Sequence, residues 1–216
     1  MDIWGAFSEA NVRFIFEGFY VTLRVAFFSI IFSFLIGTVV GAVRYMKLPV
    51  IKPILASLVE LIRNLPLLLI ILFTFLAMPE LGMKLGAERS AILALSLFEG
   101  AMISEVVRGG LLSVDKGQIE AARSSGLGYL QTLWHIVLPQ GLRRMVPPIV
   151  SQFISLLKDT SLATVITLPE LMHHAKIVVA QNLGYTIPVL VFVALLYFCT
   201  NYLLSLLSRR LEHKWV

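Results

Sequence analysis

A few residues place polar chemistry inside otherwise apolar stretches of this chain. Glu99 lies ten residues beyond Arg89, near the middle of an apolar run. A carboxylate at such a depth in lipid costs roughly 2.5–3.5 kcal/mol unless it is paired or wet. It therefore calls for a cavity, a partner helix or an arginine such as Arg63, and lining a solute path is the preferred role. Gln152 and Asp159 stand seven residues apart, two helical turns, and so share one helix face, with Lys158 and Ser161 beside Asp159. A carboxylate, an amide, an ammonium and a hydroxyl on one face suit the transient holding of a polar solute. They also suit a polar seam between subunits, and both readings stay open. Glu105 and Arg108, three apart, share another face. They read either as an ion pair at the membrane surface or, with Arg63, as a gate or hinge contact.

Bond-breaking chemistry finds no support. The sequence has no G-x-x-x-x-G-K-[ST] loop for nucleotide phosphates, no H-E-x-x-H pair and no G-x-S-x-G elbow. No catalytic residue, metal ligand or cofactor is expected on the chain. His173 and His174 are adjacent, point to different helix faces and lack a third ligand, which favours a surface or interface role. The single cysteine, Cys199, sits in an apolar run and excludes an intrachain disulfide.

The elements that must position these groups are membrane helices. Of 216 residues, 58% are hydrophobic and 14% charged, and mean hydropathy is +0.86. Soluble domains carry about a quarter charged residues, so the apolar excess marks a bilayer protein. The net charge of +5 then fits loops near anionic lipid and gives no reason to expect nucleic acid. Spans of about 20 apolar residues are predicted at 18–45, 54–78, 89–112, 145–165 and 185–207, with the whole chain, 1–216, as one transmembrane domain. Met1-Asp2-Ile3-Trp4 has no basic leader, so no cleaved signal is expected.

Five spans put the termini on opposite sides. Eleven basic residues, Arg44, Lys47 and Lys52 among them, fall on one side, against Arg13, Lys84, Arg89 and Lys176 on the other. The positive-inside rule predicts an outside N-terminus and a cytoplasmic C-terminus. Segment Thr167 to Asn182 then lies outside, long enough for a short helix or a re-entrant piece.

The longest polar interruption is Gln118-Ile119-Glu120-Ala121-Ala122-Arg123-Ser124-Ser125-Gly126, followed by Ile136-Val137-Leu138-Pro139. It is built from good helix formers. Gly126 permits a helix end or sharp bend, and Pro139 is expected to start the next element. The spacing, EAA, three residues, Gly, nine residues, Ile-x-Leu-Pro, resembles the EAA signature of ABC importer permeases. The resemblance widens through Ser104-Glu105-x-x-Arg108-Gly109-Gly110, Glu60-x-x-Arg63-Asn64-x-Pro66, Leu138-Pro139-Gln140 and Leu157-Lys158-Asp159-Thr160-Ser161. It is closest to the polar amino acid permeases of histidine, glutamine and arginine importers, from about Gly18 to the C-terminus. One departure is Arg63-Asn64-Leu65-Pro66, where many relatives read Arg-Gly-Thr-Pro.

The resemblance implies an all-α type I importer permease fold of five transmembrane helices with a cytoplasmic coupling helix near 118–130. Gln118, Glu120, Ala121, Ala122 and Gly126 would meet an ATPase subunit. It also implies a paired permease, as homo- or heterodimer, ATPase subunits carrying the ATP and Mg, an extracytoplasmic amino-acid-binding protein, and a multi-pass place in the bacterial plasma membrane. In the family the Gln152 position is often Glu where the substrate is basic. Gln here points to a neutral or acidic amino acid, glutamine or glutamate/aspartate. The competing reading is a stand-alone secondary transporter or channel coupling ions through Glu99 and Asp159, which would not need the EAA segment. A non-transporting scaffold would leave Glu99, Gln152 and Asp159 unexplained.

Overall fold

Small residues on two long helices set the architecture. In a computed structural model describing residues 2–46 and 48–215, the first short helix, α1 (Ile3–Ala6), precedes α2 (Glu9–Tyr45). At about 1.5 Å per residue, α2 is roughly 55 Å long. Its buried face carries Gly18, Thr22, Ser29, Ser33, Gly37 and Gly41. Gly37 and Gly41 lie along α5 (Gly86–Leu112), the most enclosed of the spans, whereas Gly18 and Thr22 meet the segment Glu170–His174. A Cβ added at Gly37 would come within 2.6 Å of Ile103, and one at Gly41 within 2.7 Å of Val107. With no hydrophobic drive between helices in lipid, such close backbone approach supplies the packing.

The second span is broken. α3 (Ile51–Asn64) is followed by Leu65-Pro66 and then α4 (Leu67–Leu72), whose path continues helically to Leu81, bent by 102° from α3. Pro66 disfavours helix at the residue before it, and Leu65 is extended with φ −87° and ψ 143°. Among the described residues, four helices are long and apolar enough to cross a bilayer, five if the bent pair counts as one span.

After α5 come α6 (Lys116–Ser124), α7 (Tyr129–Thr132) and α8 (Leu138–Asp159). α7 and α8 belong to one helical path from Tyr129 to Ile166. Pro139 lies in the first turn of α8, as the sequence predicts, and α8 runs on without a break from the helical path begun at Tyr129, ten residues earlier. A π turn at Leu133–Val137 precedes Pro139, and another at Phe73–Ala77 precedes Pro79. A proline cannot donate to the carbonyl four residues back and its ring crowds that carbonyl. Widening the preceding turn removes the conflict.

Beyond Asp159 a 3₁₀ stretch, Thr160–Ile166, ends at Thr167 with φ 57°. The next helix, α9 (Leu171–Gln181), falls in the segment expected outside, and α10 (Thr186–Trp215) closes the chain. The fully buried Glu170 caps α9 by accepting from the backbone N–H groups of Met172 and His173 at 2.8 and 2.7 Å. Thr22 of α2 accepts from Leu171 N–H at 3.1 Å. His174 is stacked on Phe14, ring centroids 3.9 Å apart, which gives it a packing role between α2 and α9. Lys47 and the side chain of Lys214, both in the charge count, lie outside the described residues.

Candidate functional site

The EAA residues form a helix held at both ends. Asp115 accepts from Gly117 N–H at 2.8 Å at the start of α6. At the end, Leu127 N–H reaches Ala122 O and Gly126 N–H reaches Arg123 O, each at 3.1 Å. This 6→1 and 5→2 pattern needs a left-handed residue, and Gly126 supplies it with φ 88°. Ala122 is buried against the body of the protein, whereas Gln118, Glu120 and Ala121 are exposed. Only one of the two alanines is thus available to a partner. Beside them Tyr129, Leu130 and Trp134 are exposed, Trp134 by 66%. The sequence reading missed this apolar patch; its signal was three large apolar residues in a polar stretch.

Two contacts tie α6 to the long helix. Gln140 Nε2 donates to Gln118 Oε1 at 2.5 Å and to Ile136 O at 3.0 Å. Arg144 donates to the carbonyl of Ser113, just before α6. α6 is thereby joined to α8, the helix that carries Gln152 and Asp159.

Inside the bundle, Glu99 is 2% exposed and its Oε1 has no hydrogen-bond partner among the described residues. Asp159 is close enough to repel it electrostatically. Gln152, Asp159 and Ser161 are half-buried and Lys158 is exposed. Ser161 Oγ donates to Lys158 O at 2.7 Å. Two carboxylates within electrostatic reach in a low-dielectric setting are eased by a proton or by a nearby cation, such as an ammonium group.

Arg63 does not pair with Glu99. It approaches Glu105 instead, at 3.6 Å. Glu105 accepts from Arg108 Nε and an Arg108 terminal nitrogen at 3.0 and 2.7 Å, and from Arg44 at 2.6 Å. Arg44 also donates to Ser104 Oγ at 3.3 Å and is 7% exposed. Sequence reasoning counted Arg44 as a loop charge; its place in the last turn of an apolar helix was the available sign of burial. Glu105 thus joins α2, α3 and α5 at the end of the bundle where α6 lies.

Residues 30–213 match the family described as the binding-protein-dependent transport system inner membrane component. The chain is 61% identical over 214 residues to the probable glutamine ABC transporter permease protein GlnP of Bacillus subtilis strain 168, covering 98% of each chain. It is 38% identical over 206 residues to the probable glutamine ABC transporter permease protein GlnM of the same strain, covering 92% of this chain and 94% of that one. Among solved structures, a crystal structure of an amino acid ABC transporter with histidines superposes with TM-score 0.87 at 27% identity, covering 94% of each chain.

Proposed function

Since the chain belongs to the inner membrane component family of binding-protein-dependent transport systems, we propose that it forms, as a pair, the path of an ATP-driven importer for glutamine. The observation that carries the substrate is the 61% identity, over nearly the whole chain, to a relative named as a glutamine permease. Gln152 supports it: an amide donates and accepts but brings no charge, which suits a neutral or acidic solute better than arginine.

The pair is this chain with a second copy or with a similar permease, related by a two-fold axis. ATPase subunits dock on α6 from the cytoplasm, where the basic loops place it. Glu120, Ala121 and Gly126 form the contact, extended by Tyr129, Leu130 and Trp134. A binding protein delivers the amino acid at the α9 side. Closure of the ATPase pair moves α6, the Gln118–Gln140 bond carries that motion to α8, and the face bearing Gln152 and Asp159 changes its access. ATP biases two packings of one bundle; the solute's ammonium group is held near Glu99 and Asp159.

The test is the complete complex with its ATPase and binding protein in proteoliposomes. The binding protein is loaded with each amino acid in turn and ATP hydrolysis is measured. L-Glutamine is expected to stimulate most. Stimulation led by a cationic amino acid would overturn the substrate, and no stimulation by any would overturn the importer reading.

A further inference from the structure

A pocket of about 370 Å³ opens between α2, α3 and α5, lined by Arg44, Arg63, Arg108, Glu60, Asn64 and Glu105 among others. Its charges are unevenly satisfied. Glu105 accepts three hydrogen bonds, one on Oε1 from Arg44 and two on Oε2 from Arg108. Arg63 comes only to 3.6 Å of that carboxylate, makes no hydrogen bond to it, and its side chain is 41% exposed. Arg44 is more than nine-tenths buried, and its Nε, closed to solvent, has no partner among the described residues. Three guanidinium groups therefore share one carboxylate, and Arg63, half-exposed and without a hydrogen bond to it, brings its donors to the cavity wall. Glu60, one helical turn before Arg63 on α3, supplies a negative charge at the same pocket.

We propose that this pocket binds the backbone end of a free amino acid, its carboxylate on Arg63 and Arg108 and its ammonium toward Glu60. Guanidinium groups are matched to carboxylates by their planar forks of donors. A plain anion such as phosphate would satisfy the arginines but face Glu60 unpaired; a zwitterion satisfies both. Met102 of α5 lies in the pocket lining, midway between Glu99 and Glu105. Six residues of helix separate those two carboxylates by roughly 9 Å. The pocket is thus a second station on the α6 side of the Glu99–Asp159 region. Given the orientation argued above, on which this inference rests, it is the last contact a solute makes before the cytoplasm. Because only the backbone end is recognised, the station does not discriminate among side chains.

Saturation-transfer NMR on the nucleotide-free complex of permease and ATPase subunits, without the binding protein, in phosphatidylcholine nanodiscs tests this, with glycine and L-glutamine as probes. Asp159→Asn disables the first station, so signal that survives reports the second. Both probes are expected to retain signal in Asp159→Asn. Adding Arg63→Gln should cut it at least five-fold, and adding Arg63→Lys should keep more of it than Gln does. Loss of glycine signal in Asp159→Asn alone overturns the station, as does signal indifferent to Arg63→Gln. Signal abolished by including phosphatidylglycerol also overturns it, since a lipid headgroup would then be the occupant. Glycine separates the two readings. A complex that imports some other amino acid fails the glutamine assay above yet keeps its glycine signal here.

Discussion

Gln140 of α8 donates to Gln118 of α6 at 2.5 Å, bridging 22 residues of sequence between the exposed helix and the helix that carries Gln152 and Asp159. Glu120 lies two residues beyond this joint and Gly126 closes the same helix. Glu120→Lys and Gly126→Val are expected to abolish uptake and weaken ATPase binding while membrane insertion stays normal. The left-handed backbone at Gly126 costs an L-residue roughly 1–2 kcal/mol. Gln140→Ala should leave the ATPase bound but loosen hydrolysis from uptake. Unchanged uptake in both Glu120→Lys and Gly126→Val, measured in proteoliposomes, would remove α6 from the coupling role.

Orientation is open to direct labelling. Cys199 is exposed, so a Cys199→Ser background is used. A cysteine replacing Ser125 should react with an impermeant maleimide only from the cytoplasm, and one replacing Lys84 only from outside. The reverse pattern would invert the proposed topology.

Asp159→Asn is expected to stop or severely slow uptake with assembly intact, because a charge-assisted hydrogen bond to an ammonium group is worth roughly 1.5–3 kcal/mol. Gln152→Glu should move preference toward cationic amino acids. Competition of arginine and glutamate with glutamine uptake reads both. Normal transport by Asp159→Asn together with an unaltered ranking in Gln152→Glu would assign selectivity to the binding protein.

Glu105→Gln leaves Arg44 buried against a neutral amide. Breaking a buried pair on one side costs roughly 3–5 kcal/mol, so a clear drop in melting temperature is expected, with Glu105→Asp intermediate. A melting curve unmoved by Glu105→Gln would show that Ser104 and solvent suffice for Arg44.

Burial pushes the Glu170 carboxyl up to about 7, against the two N–H groups that favour its charge. The folded state therefore holds the proton more tightly than the unfolded chain does. That contribution is full below the ordinary glutamate range and is lost as pH rises through about 7. Thermal unfolding between pH 5 and 8 should show stability falling with pH, and Glu170→Gln should flatten the slope. A slope identical in the two proteins would place its origin elsewhere.

Local signals carried much of this structure in the sequence. The EAA spacing and Gly126 mark a short helix and its end, because capping depends on a handful of neighbouring residues. The three-residue spacing of Glu105 and Arg108 likewise puts both on one face, where they form an ion pair at 2.7 Å. Arg44 was not legible in the same way: its partners Ser104 and Glu105 lie 60 and 61 residues away, and no periodicity encodes such a pairing. Pro66 signals a break, but the 102° bend depends on how Leu67 and Ile71 pack against α5 and the 3₁₀ stretch after α8. Pro139 does mark the start of α8, but its spacing did not show that the helix before it would run straight on. Proline disfavours helix, yet a helix fixed on both sides by tertiary contacts absorbs it in one widened turn.

The turn at Leu133–Val137 also sets an angular phase. Its i→i+5 bonding takes about one surplus residue into a single turn, and one residue of α-helix is worth roughly 100° of rotation. Everything beyond Pro139 is therefore turned by about that angle from where an unbroken helix begun at Tyr129 would set it. The compass bearing of Gln152 and Asp159 relative to the exposed Tyr129 and Leu130 is written into that one extra residue. Closing that turn with every residue kept, as Pro139→Ala would allow, amounts to twisting the inner face of α8 while leaving every side chain on it unchanged; deleting one residue there as well would restore the bearing.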